Sequence, residues 1–253
     1  MRKYLILTMA LVGLIAVSAA GVASAAGGEK PVTAEAGNIR FTFNGGFTPT
    51  KLPKNKLAPI VLTASGKIET KDGTHPPALK TVEVESDKNG TINTKGVPVC
   101  KSGQLQSRDT KAAEKVCGKS IIGTGTTQVE IAFPEQKPIP VTSKLLVFNG
   151  GTAGGKTTLF IHAYITVPTP AAIVTTVKIK KIHHGRYGLL SVASIPKIAG
   201  GSGSVKSFSL KVGNKKKVLA AKCPDGKLQA HATAIFADGT KASAGIVRTC
   251  TGT

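Results

Sequence analysis

The chain contains no tryptophan, and aromatic residues of all kinds make up only 4% of its 253 residues. Proteins that bind single-stranded nucleic acid stack the bases on aromatic side chains. Tyr187 is the only aromatic residue near the basic cluster that contains Lys178, Lys180, Lys181 and Arg186. This scarcity argues against specific nucleic-acid binding, and it leaves sequence-independent electrostatics as the form of binding that the composition permits.

Long apolar runs are missing after the first 17 residues, so no later segment reaches the roughly 20 residues that a spanning helix needs. The one apolar run, Tyr4 to Val17, follows Arg2 and Lys3 and leads into Ala23-Ser24-Ala25. This order is typical of a secretory signal peptide, which we assign to residues 1–26. No cysteine stands at the cleavage point. We therefore expect an exported chain without a lipid or membrane anchor, either secreted or associated with the cell envelope.

The chain has four cysteines, and none of them lies in a Cys-x-x-Cys pair or close to a histidine, as a zinc site would require. In an exported protein, this number predicts two disulfides, which an oxidising compartment preserves. Of the three possible pairings, we favour Cys100 with Cys117 and Cys223 with Cys250, because each closes a short loop. Each bridge would stabilise the fold by roughly 3 to 4 kcal/mol in the loop-entropy model. No metal or other cofactor is predicted.

The segment from Cys100 to Gln106 recurs later in the chain, from Cys223 to Gln229. In each copy a cysteine precedes a turn with glycine in fourth place, followed by Leu-Gln, and glycine can adopt the positive φ of tight turns. The flanks also correspond, with Leu79 to Val84 resembling Val205 to Leu210 upstream. The pattern predicts two copies of one β unit. Two similar hairpins that arose independently are the alternative.

The composition is typical of strands and turns, with 29 glycines, 14 prolines and short runs rich in threonine, valine and isoleucine. It predicts an all-β fold of two tandem or fused β-sandwich-like units. After a flexible segment at 27–37, we place the first unit at 38–150 and the second at 151–253. One short helix is expected near residues 109–117, with Ser107 or Asp109 as its N-cap and Gly118 at its end.

The segment Gly150 to Thr157 satisfies the phosphate-binding pattern G-x-x-x-x-G-K-[ST]. That loop needs a helix after it, whose N-terminus faces the phosphate. Thr158 to Ile165 instead alternates like a strand, and no apolar run ending in aspartate is present to hold magnesium. We therefore interpret the match as a glycine-rich β-hairpin turn that binds no nucleotide.

Other catalytic patterns are incomplete, which predicts a protein that is not an enzyme. Gly200 to Ser204 fails the G-x-S-x-G pattern at its last position, and there is no His-Glu-x-x-His. His162 shares a strand face with Phe160 and Tyr164, which favours packing over catalysis. His183 and His184 are neighbours, so on a strand they would point to opposite faces. A secreted hydrolase of carbohydrate or envelope polymer is the alternative, with two of its carboxylates chosen from Glu83, Glu85, Glu130 and Asp238.

Charge is the strongest functional signal. The chain has 34 basic and 13 acidic residues, and loss of Arg2 and Lys3 with the signal peptide lowers its net charge from +21 to +19. Such a field attracts anionic polymers. Two concentrations stand out as candidate binding residues: Lys178, Lys180, Lys181 and Arg186, and Lys215, Lys216 and Lys217. We predict a basic protein that binds anionic cell-wall polymer or acidic polysaccharide mainly by electrostatics. A solvated strand face that keeps the protein soluble is the alternative.

With its paired Cys-x-x-Gly-x-Leu-Gln segments and its Leu159 to Lys180 stretch, the chain resembles a group of exported, β-rich bacterial proteins to which no function is attached. The resemblance spans most of the mature region. It implies no activity, and no catalytic residue is carried over from it.

Overall fold

The structure, a computed structural model, describes residues 29–213 and 216–253, so the predicted signal peptide at 1–26 lies outside the described residues. Strands make up most of the described chain, and there is a single short α-helix, which confirms the all-β prediction. No helix of the described part is long and apolar enough to span a membrane. The strands are β1 Val32–Ala36, β2 Ile39–Thr48, β3 Lys51–Leu52, β4 Ala58–Pro59, β5 Val61–Thr70, β6 Leu79–Asp87, β7 Gly90–Ile92, β8 Ile121–Ile131, β9 Ile139–Ala153, β10 Lys156–Ile165, β11 Ala171–His184, β12 Tyr187–Ser194, β13 Gly203–Val212, β14 Leu219–Ala221, β15 Lys227–Phe236, β16 Lys241–Thr249 and β17 Thr251–Gly252.

Twelve strands form one antiparallel sheet in the order β1-β2-β5-β13-β8-β9-β10-β11-β12-β6-β15-β16. The sheet is rolled and nearly closed, because its two edge strands, β1 and β16, pack against each other. Two small sheets, β4-β14-β7 and β3-β17, are built from the segments that adjoin one end of the rolled sheet. We call this the capped end. It is the end at which β2, β6, β13 and β16 finish.

Strands from the two halves of the chain are interleaved at two places in this sheet. The boundary expected between residues 150 and 151 lies in the hairpin of β9 and β10. β13, from the second half, lies between β5 and β8 of the first half, while β6 lies between β12 and β15. The two cysteine segments also differ locally. Ser102–Gln104 forms a 3-10 turn, whereas Gly226, with φ of +79°, turns the chain into β15.

The side chains of each strand alternate between the interior of the rolled sheet and its outer face. On β11, Val177 and Ile179 are buried in the interior, while Lys178 and Lys180 are exposed outside. Small and large residues meet across the interior. Phe41 and Phe43 of β2, for example, belong to one cluster with Ala232 of β15.

The helix α1, Thr110–Cys117, lies on the outer face of the rolled sheet. The Asp109 carboxylate caps it by accepting a hydrogen bond of 2.7 Å from the Ala112 N–H. Ala113 and Cys117 are buried against β9 and β10. The helix passes directly into a 3-10 turn at Gly118–Ser120. It occupies the position expected from the sequence, near residues 109–117.

Two disulfides join segments that cover the rolled sheet. They join Cys100 to Cys117 and Cys223 to Cys250, the pairing that the spacing favoured. The first fastens α1 to the segment before it, over the outer face. The second lies in a buried cluster with Leu52 and Leu228 at the capped end.

β1 lies inside the segment 27–37, for which the sequence predicted no regular structure. It pairs with β2 over its whole length, from Val32 opposite Phe43 to Ala36 opposite Ile39. Its small apolar residues Val32, Ala34 and Ala36 pack against the core. Two alanines in three positions give a weak apolar alternation, so the strand is stabilised by this packing rather than by its own sequence.

Gly125 marks the closest approach of two strands. A Cβ atom at this position of β8 would collide with the Ser209 carbonyl oxygen of β13 and stand 2.9 Å from the Leu210 side chain. We expect Gly125→Ala to lower the free energy of unfolding by about 2 kcal/mol or more, because the two strands must move apart. Denaturant unfolding would measure the loss.

Gly245→Ala is the matched control, since a Cβ atom at Gly245 of β16 meets nothing within 4 Å. Its free energy of unfolding should stay within about 0.5 kcal/mol of the parent value. Equal effects of the two substitutions would contradict the close approach of β8 and β13.

Candidate functional site

Two of the predicted lysines of β11, Lys178 and Lys180, lie on the outer face and gain a neighbour from β10. Lys178 and Lys180 are exposed, and Lys156 lies directly opposite Lys180 in the ladder between β10 and β11. Lys181 is exposed one residue further along β11, but alternation turns it to the other face, opposite Leu189. We call Lys156, Lys178 and Lys180 the lysine face. Like charges directly opposite each other on neighbouring strands are destabilising, so the Lys156–Lys180 pair is an arrangement that stability alone does not favour.

Lys156 belongs to the segment that matched the phosphate-binding pattern. In the structure, β9 ends at Ala153 and β10 begins at Lys156. Gly154 and Gly155 have φ of +55° and +71°, which is the backbone of a tight two-residue hairpin turn. A strand therefore follows the glycines where the nucleotide-binding pattern needs a helix. The sequence did not assign Lys156 to the lysine face, because alternation within β10 does not reveal its register against β11.

The second predicted cluster lies at the same end of the rolled sheet. Lys215 falls outside the described residues, Lys216 is half-buried and Lys217 is exposed. The next residue, Val218, is buried in one apolar cluster with Ile179, which stands between Lys178 and Lys180. Lys217 is therefore exposed at the end of the rolled sheet where β11 finishes.

Arg186, predicted with the lysines, is held in a network of its own. Its Nε donates a hydrogen bond of 2.7 Å to Asp87, whose side chain is only 4% exposed. Its two terminal nitrogens contact Asp225, and one of them donates to the Lys227 carbonyl at 2.6 Å. Asp87 also accepts hydrogen bonds from Asn89 and from the Gln229 N–H. The Arg186 guanidinium thus compensates a buried carboxylate where β6, β12 and β15 meet.

Loss of the Arg186 guanidinium should lower the stability of the fold. We expect Arg186→Ala to lower the free energy of unfolding by about 2 to 3 kcal/mol, because the Asp87 carboxylate stays buried without its cation. Asp225→Asn is the control: Asp225 is 43% exposed, so this change should lower the free energy of unfolding by less than Arg186→Ala does. Chemical denaturation at pH 7 measures both, and a smaller loss for Arg186→Ala than for Asp225→Asn would refute the assignment.

Three of the four candidate carboxylates, Glu85, Glu130 and Asp238, each have a separate hydrogen-bonding partner. Glu130 binds the His75 ring at 2.9 Å, and Glu85 binds the His184 ring at 2.8 Å. Asp238 accepts hydrogen bonds from Thr240 within its own turn. Within residues 29–213 and 216–253, no group of three or more His, Cys, Asp or Glu side chains is placed to hold a metal ion.

His162 is fully buried under the segment that leads into α1. Its Nε2–H donates a hydrogen bond of 2.9 Å to the Arg108 carbonyl, and its Nδ1 has no partner among the described residues. Burial lowers the pKa of His162, although the Arg108 carbonyl and the Asp109 charge act in the opposite direction. The neutral ring is therefore the form that the fold accommodates.

This burial predicts a pH dependence of stability. The unfolded chain binds a proton at His162 below its ordinary pKa of about 6.5, and the folded chain does not, so stability is retained above that pH and falls below it. We expect His162→Gln to remove a slope of up to about 1.4 kcal/mol per pH unit between pH 6.5 and 5. His183→Gln, at an exposed position, should leave the slope unchanged. Unfolding free energies measured at several pH values test this, and equal slopes for parent and His162→Gln would contradict it.

The interior of the rolled sheet contains a cavity of about 370 Å³. Many side chains around it point inward yet remain half-exposed, which means that they do not pack against one another across the interior. The lining is almost entirely apolar and includes Val82, Val84, Ile161, Ile173, Ala193 and Phe208. It reaches from Leu79 and Ile198 at one end to Ile60 and Ala221 at the capped end. The cavity is therefore elongated along the strands.

A gap between the first and last long strands adjoins this cavity. β1 pairs with β2 only as far as Phe43, so residues 44–48 of β2 face the end of β16 instead. Arg248 of β16 spans this gap: its Nε donates to the Gly45 carbonyl and its Nη2 donates to the Asn44 side chain at 2.7 Å. We call the gap, between 44–48 and 246–249, the seam. A second cavity of about 590 Å³ lies there and shares Gly45, Phe47 and Arg248 with the interior cavity.

The Glu29 carboxylate is bound at the seam through both of its oxygens. Its two oxygens accept hydrogen bonds from Arg248 Nη1 at 3.1 Å, the Thr249 N–H at 2.7 Å and the Thr249 hydroxyl at 2.6 Å. Burial raises the pKa of Glu29, but the Thr249 hydrogen bonds and the Arg248 charge outweigh it, and the pKa is lowered. Glu29 is therefore bound as the carboxylate anion.

Comparison with known proteins yields no match: no family model, no curated protein and no solved structure is similar to this chain.

Proposed function

We propose that the protein is exported and that it binds anionic polymers of the cell envelope, such as wall polymer or acidic polysaccharide, through the lysine face and without chemistry of its own. The observation that carries the proposal is the placement of Lys156 directly opposite Lys180, beside Lys178. A solvated surface does not require like charges in register. An anionic partner that lies across β10 and β11 would compensate both charges at once.

The type of residue also supports a polymeric partner. The lysine face contains no arginine, and lysine is a mobile, strongly hydrated point charge rather than a rigid bidentate donor. None of its three lysines forms an ion pair with another described residue. Such charges suit a partner with repeated negative groups and no fixed shape. The two disulfides are in keeping with an oxidising compartment outside the cytoplasm.

Two β-sandwich-like units, fused through exchanged strands, are our proposal for how the chain is organised. β6, which precedes the first cysteine segment, pairs with β15, which begins within the second segment. β13, which precedes the second segment, pairs with β8, which follows the first. The flanking strands of each unit thus pair with those of the other.

Removal of the lysine face should weaken polymer binding beyond the effect of net charge. We expect a Lys156→Gln, Lys178→Gln, Lys180→Gln variant to bind polygalacturonate at least about tenfold more weakly at low salt, with a log–log salt slope smaller by roughly 2 to 3, since three cationic contacts are lost. The control replaces Lys51, Lys56 and Lys137, which are exposed outside the lysine face, and loses the same charge. Retention on immobilised polymer across a salt series measures all three proteins.

Equal weakening in both variants would show that binding follows net charge alone and would contradict the lysine face. Absence of retention at low salt would contradict polymer binding altogether. Release of reducing ends from the polymer by the parent protein would establish the alternative, a secreted hydrolase.

A further inference from the structure

We propose that the interior cavity binds a single-chain anionic amphiphile, such as a fatty acid, with its hydrocarbon chain between the sheet walls and its carboxylate at Arg248 in place of Glu29. This site is separate from the lysine face and does not depend on the polymer-binding proposal. Three observations lead to it: the hollow apolar interior, the polar seam beside it, and the carboxylate already bound there.

The interior of the rolled sheet is less densely packed than the core of a protein normally is. Protein interiors are normally packed as densely as organic crystals, and an apolar void forfeits the dispersion contacts of its lining. Here the strands keep Val84, Ala193 and Phe208 pointing into a space of about 370 Å³, which falls in the range of small-molecule sites. An apolar cavity of this kind stays dry and takes up apolar molecules.

The shape and lining specify a chain rather than a compact polar molecule. The lining extends along the strands from Ile198 to Ala221, and its polar side chains are few. One of them, Thr127, already donates its hydroxyl proton to the Ser207 carbonyl. Because the interior offers little hydrogen bonding, the part of the ligand inside it must be hydrocarbon.

The groups that bind Glu29 indicate that the polar end of the ligand is a carboxylate. Arg248, 13% exposed, and the Thr249 N–H and hydroxyl together bind a carboxylate at the point where the seam meets the interior cavity. A ligand carboxylate can accept the same hydrogen bonds. Glu29 lies outside the strands, ahead of β1, so its replacement leaves the sheet intact.

The seam also provides the entrance. From β1 round to β16, neighbouring strands are joined by backbone hydrogen bonds, which a ligand could pass only by breaking a ladder, and β1 and β16 themselves pack against each other through apolar side chains. Between residues 44–48 and 246–249, the Arg248 side chain makes the described connections to Gly45 and Asn44. Release of Glu29 and rotation of the Arg248 side chain would therefore open a path to the cavity.

Calorimetric titration of the full mature chain with dodecanoate, and with dodecanol as the uncharged match, tests this assignment. We expect the parent to bind one dodecanoate per chain. Ala193→Phe, which fills the cavity, should weaken binding of both ligands at least tenfold, whereas Val192→Phe, on the outer face of the same strand, should change it less than twofold. Ser191→Phe provides a second filled cavity in case Ala193→Phe does not fold, which thermal melting would reveal.

A second set of variants tests whether the ligand carboxylate binds at Arg248. Arg248→Gln should weaken dodecanoate binding about tenfold and leave dodecanol nearly unaffected, and Glu29→Gln should strengthen dodecanoate binding because it removes the internal competitor. The proposal is overturned if the parent binds neither ligand, if the folded filled-cavity variants bind dodecanoate like the parent, or if Arg248→Gln affects both ligands equally. The triple lysine-face variant should keep its affinity for dodecanoate, which separates this site from polymer binding.

Discussion

A rolled antiparallel sheet that does not close by hydrogen bonds must protect its two edge strands, and most of the structure depends on how it does so. An edge strand carries a row of unpaired N–H and C=O groups that invites other chains to pair with it. Here β1 and β16 turn their edges toward each other and pack through small apolar side chains. Because β1 is short, that contact ends before β2 does. Beyond the end of β1, the Arg248 side chain of β16 bonds directly to β2. The seam, its polar lining and the bound Glu29 carboxylate all result from this mismatch in strand length.

Features that depend on neighbours in the chain were accessible from the sequence. Asp109 was one of two candidate N-caps, the spacing of the cysteines favoured short loops, and the period of a strand separates Lys178 and Lys180 from Val177 and Ile179. Each of these conclusions needs only a few consecutive residues and a known period. The all-β class followed from the same local signals.

Features that depend on which strands become neighbours were not accessible. No local pattern places β13 between β5 and β8, or Lys156 opposite Lys180. The hollow interior was hidden for a related reason, since alternation identifies the side chains that face inward but not the distance to the opposite wall. Arg248 was not singled out because a lone arginine near the end of a strand is ordinary until its partners Asn44 and Glu29 are known.

Strand order also determines when the fold can be completed. β5 and β8 are both in the first half of the chain, but each leaves one edge unpaired until β13, from the last quarter, enters between them. β6 likewise waits for β12 and β15. While the chain is being synthesised from its N-terminus, these strands therefore keep unpaired, aggregation-prone edges until most of the chain has been made. Its large share of long-range pairings makes folding slow, so the nascent protein should depend on whatever shields those edges until its C-terminal strands arrive.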